Sequence, residues 1–581
     1  MKKAFRDLSP YIWRYRAGAS RGLASLVGKD LFAAAIPYVI GRSIDALMHG
    51  FVLSMLVRFA LLLVCLSVVK GLLQYWMRVI LIGISREVEY DIRNGLFARL
   101  TRLAPDFYAR SRTGDIMARA TNDLNAVRMM LGPGVMYWTE TSLTFVFSII
   151  VMASTDWRLT VLALLPAPLV SVAVVSFGSR IHTRFEKIQA MFSGISSLVQ
   201  ENLAGVRVVR AYAQEEAELR RFESLNVDYI AENLSLAKLS ALFMPVLQAL
   251  IGMTFLIVLW AGGARVLAHR ITLGNFVMFN TYMGTLVWPM IALGWVVNLM
   301  QRGAASWERI AQLMTEEPTI RKPEKSLALR QPVNGGLHLE NVSVRYAGGA
   351  AALSNVDLLI PAGSTAAIVG HTGSGKTTLV NLIPRLLDPS EGRVLLDGLD
   401  LRHLDPAELR RQIGFVPQET YLFSATLAEN IAWGVPGATR EQIEQAAALA
   451  GLAPDLAGFP RGLDTVVGER GLTLSGGQKQ RTAIARAVLR NPRILILDDA
   501  LSSVDTLTEE KILQGLADVM HGRTTILISH RVSTVRNADR ILVLEGGELV
   551  ECGSHAELVA SGGYYADLYQ KQLLEEELEA I

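Results

Sequence analysis

Apolar and polar positions divide roughly the first 300 residues into long apolar stretches and polar connections. A helix needs about 20 apolar residues to cross a bilayer. Six stretches have that length, at residues 23–47, 59–84, 135–154, 159–177, 239–260 and 276–299. The first is interrupted by Lys29, Asp30, Arg42 and Asp45, of which Lys29 and Asp30 can pair. The pattern predicts six membrane-spanning helices rather than six buried helices of a soluble protein.

The connections between these stretches alternate in length and charge. Those after the first, third and fifth stretches are short, whereas those after the second and fourth exceed forty residues and are rich in Arg and Lys. By the positive-inside rule, the long connections, both termini and everything after the sixth stretch are expected to be cytoplasmic. Helical periodicity in the long connections extends the spanning helices into the cytoplasm. We therefore predict a multi-pass protein of the cytoplasmic (inner or plasma) membrane of a bacterium, embedded in the lipid bilayer.

The second half of the chain has a different pattern. Residues 301–336 are polar and contain Pro318, Pro323, Pro332 and a pair of glycines, which mark a domain boundary. Beyond them, short β-branched runs alternate with helical stretches, as in α/β nucleotide-binding domains. We predict an all-α, six-helix transmembrane domain, a linker and an α/β nucleotide-binding domain, over residues 1–310, 311–336 and 337–581.

The composition agrees with a membrane part joined to a soluble part. The chain has 581 residues, too many for one compact domain, with 51% hydrophobic residues and a mean hydropathy of +0.31. Its net charge of +3 gives no argument for a nucleic-acid partner. Cys65 and Cys552 lie in different halves, so we expect no disulfide.

A glycine-rich loop carries the first candidate chemistry. It follows the apolar run 365–369 and fits the phosphate-binding pattern G-x-x-x-x-G-K-[ST] between a strand and a helix. Glycines let the backbone turn its N–H groups inward around an anion. Lys376 is expected to reach the β- and γ-phosphates, and the Thr377 hydroxyl to hold Mg²⁺. The predicted nucleotide-binding residues of this loop are Gly370, His371, Thr372, Gly373, Ser374, Gly375, Lys376, Thr377 and Thr378.

Two later segments extend the site. An apolar run over residues 494–497 predicts a buried strand that ends in Asp498, expected to bind Mg²⁺ through water, and Asp499, expected to orient or deprotonate the attacking water. A second anion site is predicted at Ser475, Gly476, Gly477 and Gln478, which follow Leu474 and lead through residues 479–481 into a helix expected to begin near Thr482. One γ-phosphate does not need two such sites in one subunit. Two domains that face head to tail, each completing the other's site, are the natural arrangement.

With these motifs the chain resembles the ATP-binding cassette (ABC) family, whose signature motif is LSGGQ. Six spans followed by one cassette resemble an exporter half-transporter, which implies ATP and Mg²⁺ as cofactors and a second half-transporter as partner. The resemblance also implies roles for single residues. Tyr346 would stack on adenine, Gln418 would sense Mg²⁺ and the membrane domain, and His530 would contact the γ-phosphate.

Further positions match the family's other motifs. Glu469 resembles the acid that contacts the intracellular helices of exporters, although a solvated loop acid is a fair alternative. Asp505 resembles the acid of the loop that crosses between cassettes. Residues 113–123 and 202–210 resemble the two coupling helices, which dock on the cassettes and transmit their closure.

One position departs from the family pattern. The family normally has glutamate after the metal-binding aspartate, whereas this chain has Asp499, which is one methylene group shorter. Proton transfer slows steeply when the accepting carboxylate is displaced by the length of one methylene group. Hydrolysis at this site is therefore expected to be slow. A heterodimer in which this chain contributes the low-turnover site is favoured over a homodimer in which Asp499 works directly. The retained His530 argues for the homodimer.

The transported compound is specified only by class. Glu140 lies in the third stretch, where it either faces the cavity and favours cationic substrates or pairs with another helix. An apolar cavity lined with Met and aromatic residues suits amphipathic drugs or lipids. Multidrug or lipid export is therefore predicted; a homodimeric lipid flippase or peptide exporter and an ATP-gated channel or regulator are the alternatives. The aromatic residues of the spans include Tyr75, Trp76, Tyr137, Trp138, Tyr282, Trp288 and Trp295.

Overall fold

The computed structural model of the protein describes residues 2–48, 53–346, 349–468, 474–504 and 506–579. The chain forms two compact units. The first comprises Met1–Thr101 and Arg112–Glu316, and the second comprises Arg102–Ser111 and Glu317–Ile581. An all-helical first unit followed by an α/β second unit confirms the predicted fold class.

The first unit is built from long helices. They are α1 (Lys2–Arg14), α2 (Arg16–Met48), α3 (Leu53–Leu100), α5 (Thr113–Ala118), α6 (Leu124–Met129), α7 (Val135–Leu164), α8 (Ala167–Ala204), α9 (Val206–Ala211), α10 (Glu215–Ile257), α11 (Gly263–Leu267) and α12 (Leu273–Thr315). Single π-helical turns join α5 to α6, α6 to α7 and α10 to α11, whereas α7 itself is kinked by non-helical backbone at Asp156. The remaining short helix, α4 (Pro105–Arg110), belongs to the second unit.

Five helical segments among the described residues are long and apolar enough to cross a membrane. They are Arg16–Met48, Leu53–Leu100, Thr113–Leu164, Glu215–Leu267 and Leu273–Thr315. The predicted fourth stretch, residues 159–177, is divided between the end of α7 and the start of α8 by a break at Leu165 and Pro166. Proline has no N–H to donate to the preceding turn, which accounts for the break.

Clusters of buried side chains hold the helices of the first unit together, and two of them are the largest in the described residues of that unit. One joins α1, α3, α6 and α12 through residues such as Leu8, Ile92 and Trp307. The other joins α7 and α12 around Leu159 and Phe279. At the start of α12, the Asp45 carboxylate accepts from the backbone N–H of Gly274 at 2.7 Å and from the Thr272 hydroxyl at 2.6 Å, which ties the end of α2 to the start of α12.

The second unit contains ten strands and eleven helices in the described part of the chain. The strands are β1 (Leu337–Arg345), β2 (Ala351–Ile360), β3 (Thr365–Val369), β4 (Glu391–Leu396), β5 (Leu399–Asp400), β6 (Ile413–Val416), β7 (Ile494–Asp498), β8 (Thr524–Ile528), β9 (Arg540–Glu545) and β10 (Glu548–Gly553). Beside α4, the helices are α13 (Lys376–Leu382), α14 (Pro406–Arg411), α15 (Leu427–Ala432), α16 (Arg440–Leu449), α17 (Ala453–Gly458), α18 (Gly476–Leu489), α19 (Thr506–Met520), α20 (Val532–Val535), α21 (His555–Ser561) and α22 (Tyr564–Glu579).

Two sheets organise the second unit. The smaller sheet is antiparallel, in the order β2-β1-β4-β5, and the larger has the order β10-β9-β3-β8-β7-β6. Pairing is parallel from β9 through β6, and every residue of β7 and β8 is buried. Because parallel strands end at the same edge of a sheet, β3, β6, β7 and β8 bring the predicted catalytic segments together there.

Candidate functional site

The glycine-rich loop connects β3 to α13, as its sequence predicts. Gly370 and Gly375 have φ angles of 153° and 100°, a region that side chains rarely adopt. A Cβ atom on Gly370 would lie 2.2 Å from the carbonyl oxygen of Leu544, and one on Gly375 would lie 2.4 Å from that of Ala352. Only glycine fits at either position, so the loop is tightly wrapped at the start of α13.

Lys376 folds back over this loop. Its Nζ donates to the carbonyl oxygens of Gly370 and His371, both at 2.8 Å, and the side chain is buried. Burial lowers the pKa of the Lys376 ammonium, while Asp499 and Asp498 act in the opposite direction. The ammonium is therefore satisfied by backbone oxygens alone and is placed where phosphate oxygens can replace them.

Two side chains at the edge of the sheet suit a hard cation. The Thr377 hydroxyl and the Asp498 Oδ1 atom are 3.4 Å apart. The other oxygen of Asp498, Oδ2, is buried and has no hydrogen-bond partner among the described residues. Burial raises the pKa of Asp498, and neighbouring Asp499 adds to the effect. An unpartnered carboxylate oxygen beside a hydroxyl matches the oxygen donor set that Mg²⁺ prefers, so these residues fit that ion.

Asp499 follows β7 in a left-handed conformation, with a φ angle of 49°. Its N–H donates to the carbonyl oxygen of Ile528 at 3.0 Å, and its own carbonyl accepts from the Ser502 hydroxyl at 2.9 Å. The peptide groups on both sides of Asp499 are thus held by the next strand and the following loop. Its side chain is only half-buried and stands beside the buried Asp498.

The two remaining predicted catalytic residues follow neighbouring strands. Gln418 comes two residues after β6, and His530 comes two residues after β8. β6 and β8 lie on either side of β7, which ends in Asp498. Both side chains are exposed, and His530 is close enough to Asp498 to act on it electrostatically. The sheet therefore gathers Gln418, Asp498, Asp499 and His530 at one edge.

The helix expected near Thr482 begins earlier, at Gly476, so the LSGGQ segment itself forms the start of α18. The Ser475 hydroxyl accepts from the N–H of Gln478 at 3.3 Å, and the Gln478 side chain accepts from the N–H of Ser475 at 3.0 Å. This capping box leaves the N–H groups of Gly476, which is exposed, and Gly477, which is buried, at the helix start. The Asp455 carboxylate holds the Gln478 amide at 3.0 Å and the Arg481 guanidinium at 2.6 Å. Asp455 of α17 thus holds the helix start at which the second anion site is predicted.

Comparisons with known proteins extend over the whole chain. Residues 22–290 match the ABC transporter transmembrane region, and residues 353–502 match the ABC transporter domain. The probable multidrug resistance ABC transporter ATP-binding/permease protein YheI of Bacillus subtilis is 38% identical over 93% of this chain and 92% of its own length. The chain belongs to the ABC exporter family.

Other relatives are similar over nearly their full lengths. The multidrug resistance-like ATP-binding protein MdlA of Escherichia coli is 37% identical over 99% of this chain and 98% of its own. An ATP-dependent lipid A-core flippase of Syntrophus aciditrophicus is 35% identical over 94% and 90%. The solved structure of a bacterial Atm1-family ABC exporter with ATP bound superposes with a TM-score of 0.79 at 28% identity, over 96% of this chain and 98% of that one. The protein is thus a half-transporter that works as a dimer in a membrane and couples ATP hydrolysis to export.

The adenine-binding candidate of the exporter, Tyr346, directly follows β1 and has an exposed ring. Its hydroxyl lies 3.2 Å from that of Thr378, so it stands next to the phosphate loop. Glu469 and Asp505, which were predicted to contact the intracellular helices and to cross between cassettes, lie outside the described residues.

The coupling segments of the exporter are short helices. Residues 113–123 form α5 and a π turn in the first unit, where Asp115 pairs with Arg119 at 2.8 Å and Asp123 with Arg309. Upstream of them, Arg102–Ser111 with α4 groups with the cassette. The second predicted segment, 202–210, spans the end of α8 and most of α9.

Glu140 forms an ion pair in the first unit. Its Oε1 accepts from Lys29 Nζ at 2.6 Å, and the same ammonium lies 2.7 Å from Asp30 Oδ1. Lys29 and Asp30 pair as expected, and Glu140 takes the second of its two predicted roles, pairing between helices.

Sequence reasoning missed the residues that brace the site. Gln480, Asp455 and Gln572 contact catalytic or signature segments through hydrogen bonds, yet none belongs to the quoted motifs. Only Gln480 carried a signal, because it lies two residues after LSGGQ on the same helix.

Proposed function

We propose that this half-transporter exports amphipathic or hydrophobic compounds, drugs or lipids, across the cytoplasmic membrane by alternating access. The observation that carries the proposal is full-length similarity to relatives named for multidrug resistance and for lipid A-core flipping. The apolar, aromatic-rich helices of the first unit agree with it, since amphipathic ligands favour such surfaces. Arg- and Lys-rich long connections support a cytoplasmic location for the cassette and both termini.

Inverted membrane vesicles test this proposal directly. With the cassette outside, addition of ATP should drive accumulation of a fluorescent amphipathic dye, or movement of a labelled lipid to the inner leaflet, above the level seen with Lys376→Ala. Dye uptake without lipid movement would assign drug export, and the reverse would assign lipid flipping. ATP-dependent ionic currents without accumulation of either probe would refute export and favour a channel.

We assign a separate role to each group of residues in the nucleotide site, and the distances in the site support this assignment. The ring of Tyr346 stacks on adenine, and the N–H groups of residues 370–378 with Lys376 hold the phosphates. Thr377, Asp498 and Gln418 would supply the oxygen atoms that hold Mg²⁺, directly or through water. The ion, when bound, neutralises charge on the phosphate oxygens. Lys376 exchanges its two backbone carbonyl partners for phosphate, which lowers the cost of burying its charge.

Water attack on the γ-phosphate is assigned to the residues that follow β7, β6 and β8. The Asp499 carboxylate accepts the proton of the water, Gln418 orients that water through its amide, and the His530 imidazole donates to the γ-phosphate. Since the Asp499 backbone is held on both sides, the shorter side chain cannot be brought forward by a shift of the main chain. Proton transfer is therefore slow at this site.

A heterodimer accounts for this combination of features. The signature segment 475–478 is intact and braced, so it completes the nucleotide site of a partner half-transporter. The chain's own loop then holds ATP at a low-turnover site, while the partner's catalytic carboxylate does most of the hydrolysis. ATP closes the cassettes and opens the cavity outward, and hydrolysis with release resets them.

A further inference from the structure

The C-terminal helix α22 packs directly behind the nucleotide site. Tyr565 of α22 is fully buried in a cluster with Ala367 and Val369 of β3, which leads into the phosphate loop. The same cluster contains Val532 and Val535 of α20, the helix that follows His530. One helix thus supports the two segments that flank the γ-phosphate position, the glycine-rich loop and the His530 loop.

Gln572 of α22 makes two hydrogen bonds to the His530 loop. Its Nε2 donates to the carbonyl oxygen of His530 at 2.5 Å, and its Oε1 accepts from the N–H of Val532 at 2.7 Å. Both ends of the amide are used, so the backbone from 530 to 532 is clamped. Near the start of the same helix, the ring of Tyr564 meets that of His371 in the phosphate loop, edge to face at 4.9 Å.

The His530 side chain is exposed, so packing does not orient it. Its direction depends on its backbone, which β8 holds on one side and Gln572 on the other. Since catalytic groups lose rate steeply when displaced by even 1 Å, the clamp bears on the hydrolytic step. Nucleotide affinity depends mainly on the phosphate loop and Tyr346, which Gln572 does not contact.

We propose that Gln572 is a positioning residue for ATP hydrolysis, which acts by fixing the backbone of His530. The proposal extends the hydrolytic motifs to the last helix of the chain, and it rests on the role proposed above for His530. Loss of the two Gln572 hydrogen bonds, with α22 otherwise in place, would slow hydrolysis without emptying the site.

Steady-state ATPase kinetics of the full transporter, reconstituted in lipid, test the proposal. If a partner subunit is present, the catalytic carboxylate of its own site is replaced by the amide, so that only the site with His530 turns over. Gln572→Met keeps the side-chain volume and removes both hydrogen bonds. We expect kcat to fall about tenfold while KM for ATP stays within about twofold.

Gln570→Met is the matched control, because Gln570 is exposed and lies two residues away on the same helix. It should leave kcat and KM unchanged. In a His530→Ala background, Gln572→Met should have no further effect on kcat, since the group that it positions is gone.

The possible failures are distinguishable. An unchanged kcat in Gln572→Met, with a reduced kcat in His530→Ala, would overturn the positioning role alone. An unchanged kcat in His530→Ala would overturn the role proposed for His530 as well. A fall in kcat for Gln572→Met that persists undiminished in the His530→Ala background would show that Gln572 acts by general destabilisation of the cassette.

Discussion

Replacement of Lys29 by Met should destabilise the transmembrane unit far more than replacement of Glu140 by Gln. The Lys29 ammonium is almost completely buried and lies within 2.7 Å of two carboxylates, those of Asp30 and Glu140. Lys29→Met therefore leaves two negative charges without their counter-ion. Glu140→Gln leaves one ammonium opposite one carboxylate, and the Gln carbonyl can still accept from Lys29.

The magnitude follows from these distances. At 2.6 to 2.7 Å and an effective dielectric constant of about 20, each contact is worth about 6 kcal/mol of Coulomb attraction. Desolvation offsets much of this, and loss of one member of a buried pair typically costs about 3–5 kcal/mol. We expect a loss in this range for Lys29→Met. For Glu140→Gln, which keeps the hydrogen bond but loses the negative charge of a partly exposed carboxylate, we expect about 1–2 kcal/mol.

Equilibrium unfolding in mixed micelles with increasing dodecyl sulfate, followed by circular dichroism, measures these free energies. The double variant Lys29→Met/Glu140→Gln should recover part of the loss, because only Asp30 is then uncompensated. Equal losses for the two single variants would refute the ion-pair reasoning. So would a Glu140→Gln variant of unchanged stability that no longer transports cationic dyes, because Glu140 would then serve the substrate rather than Lys29.

Two further substitutions probe the cassette. Asp499→Glu should raise ATP turnover roughly tenfold, because the longer carboxylate reaches the water, despite about 1 kcal/mol of strain in the left-handed conformation. Complete loss of turnover in Asp499→Asn would instead show that Asp499 is the working base of a homodimer. Gly370→Ala should lower the melting temperature and abolish ATP binding, because its Cβ would lie 2.2 Å from the Leu544 carbonyl oxygen. Gly373→Ala should lower the melting temperature and ATP binding less, because no atom lies within 4 Å of its Cβ. Equal effects measured by scanning fluorimetry would contradict the steric argument.

Short sequence patterns correctly predicted those parts of the fold whose structure is set by residues adjacent in the chain. The phosphate loop lies between β3 and α13 because a buried strand, a glycine turn and a helix follow each other in the sequence. The break at Leu165 and Pro166 also has a local cause, the proline itself. The apolar run around it is nevertheless long enough to indicate one uninterrupted helix. Hydropathy is an average over many residues, so it does not change when a single proline lacks the backbone N–H that a helix needs.

Contacts between distant residues were beyond sequence reasoning. Lys29 and Glu140 are 111 positions apart, so the sequence left two roles open for Glu140, and only the packing of α2 beside α7 decides between them. Gln572 is 42 positions from His530 and lies in a helix without a motif. Polar side chains that hold a distant loop have no fixed sequence spacing from that loop. A sequence motif therefore does not reveal them.

The hydrogen bonds around Asp499 explain how the cassette accommodates a shorter carboxylate at the position proposed for the catalytic base. They involve its backbone: the N–H donates to Ile528, and the carbonyl accepts from Ser502. Gln480 of α18 fixes the same loop, donating to the Ser502 hydroxyl and accepting from the N–H of Ser503, both at 3.0 Å. Because these contacts do not involve the Asp499 carboxylate, its length can change without disturbing the loop or the helix that carries the signature motif. With the roles proposed above, a cassette can hydrolyse the ATP on its own phosphate loop slowly and still complete the nucleotide site of its partner.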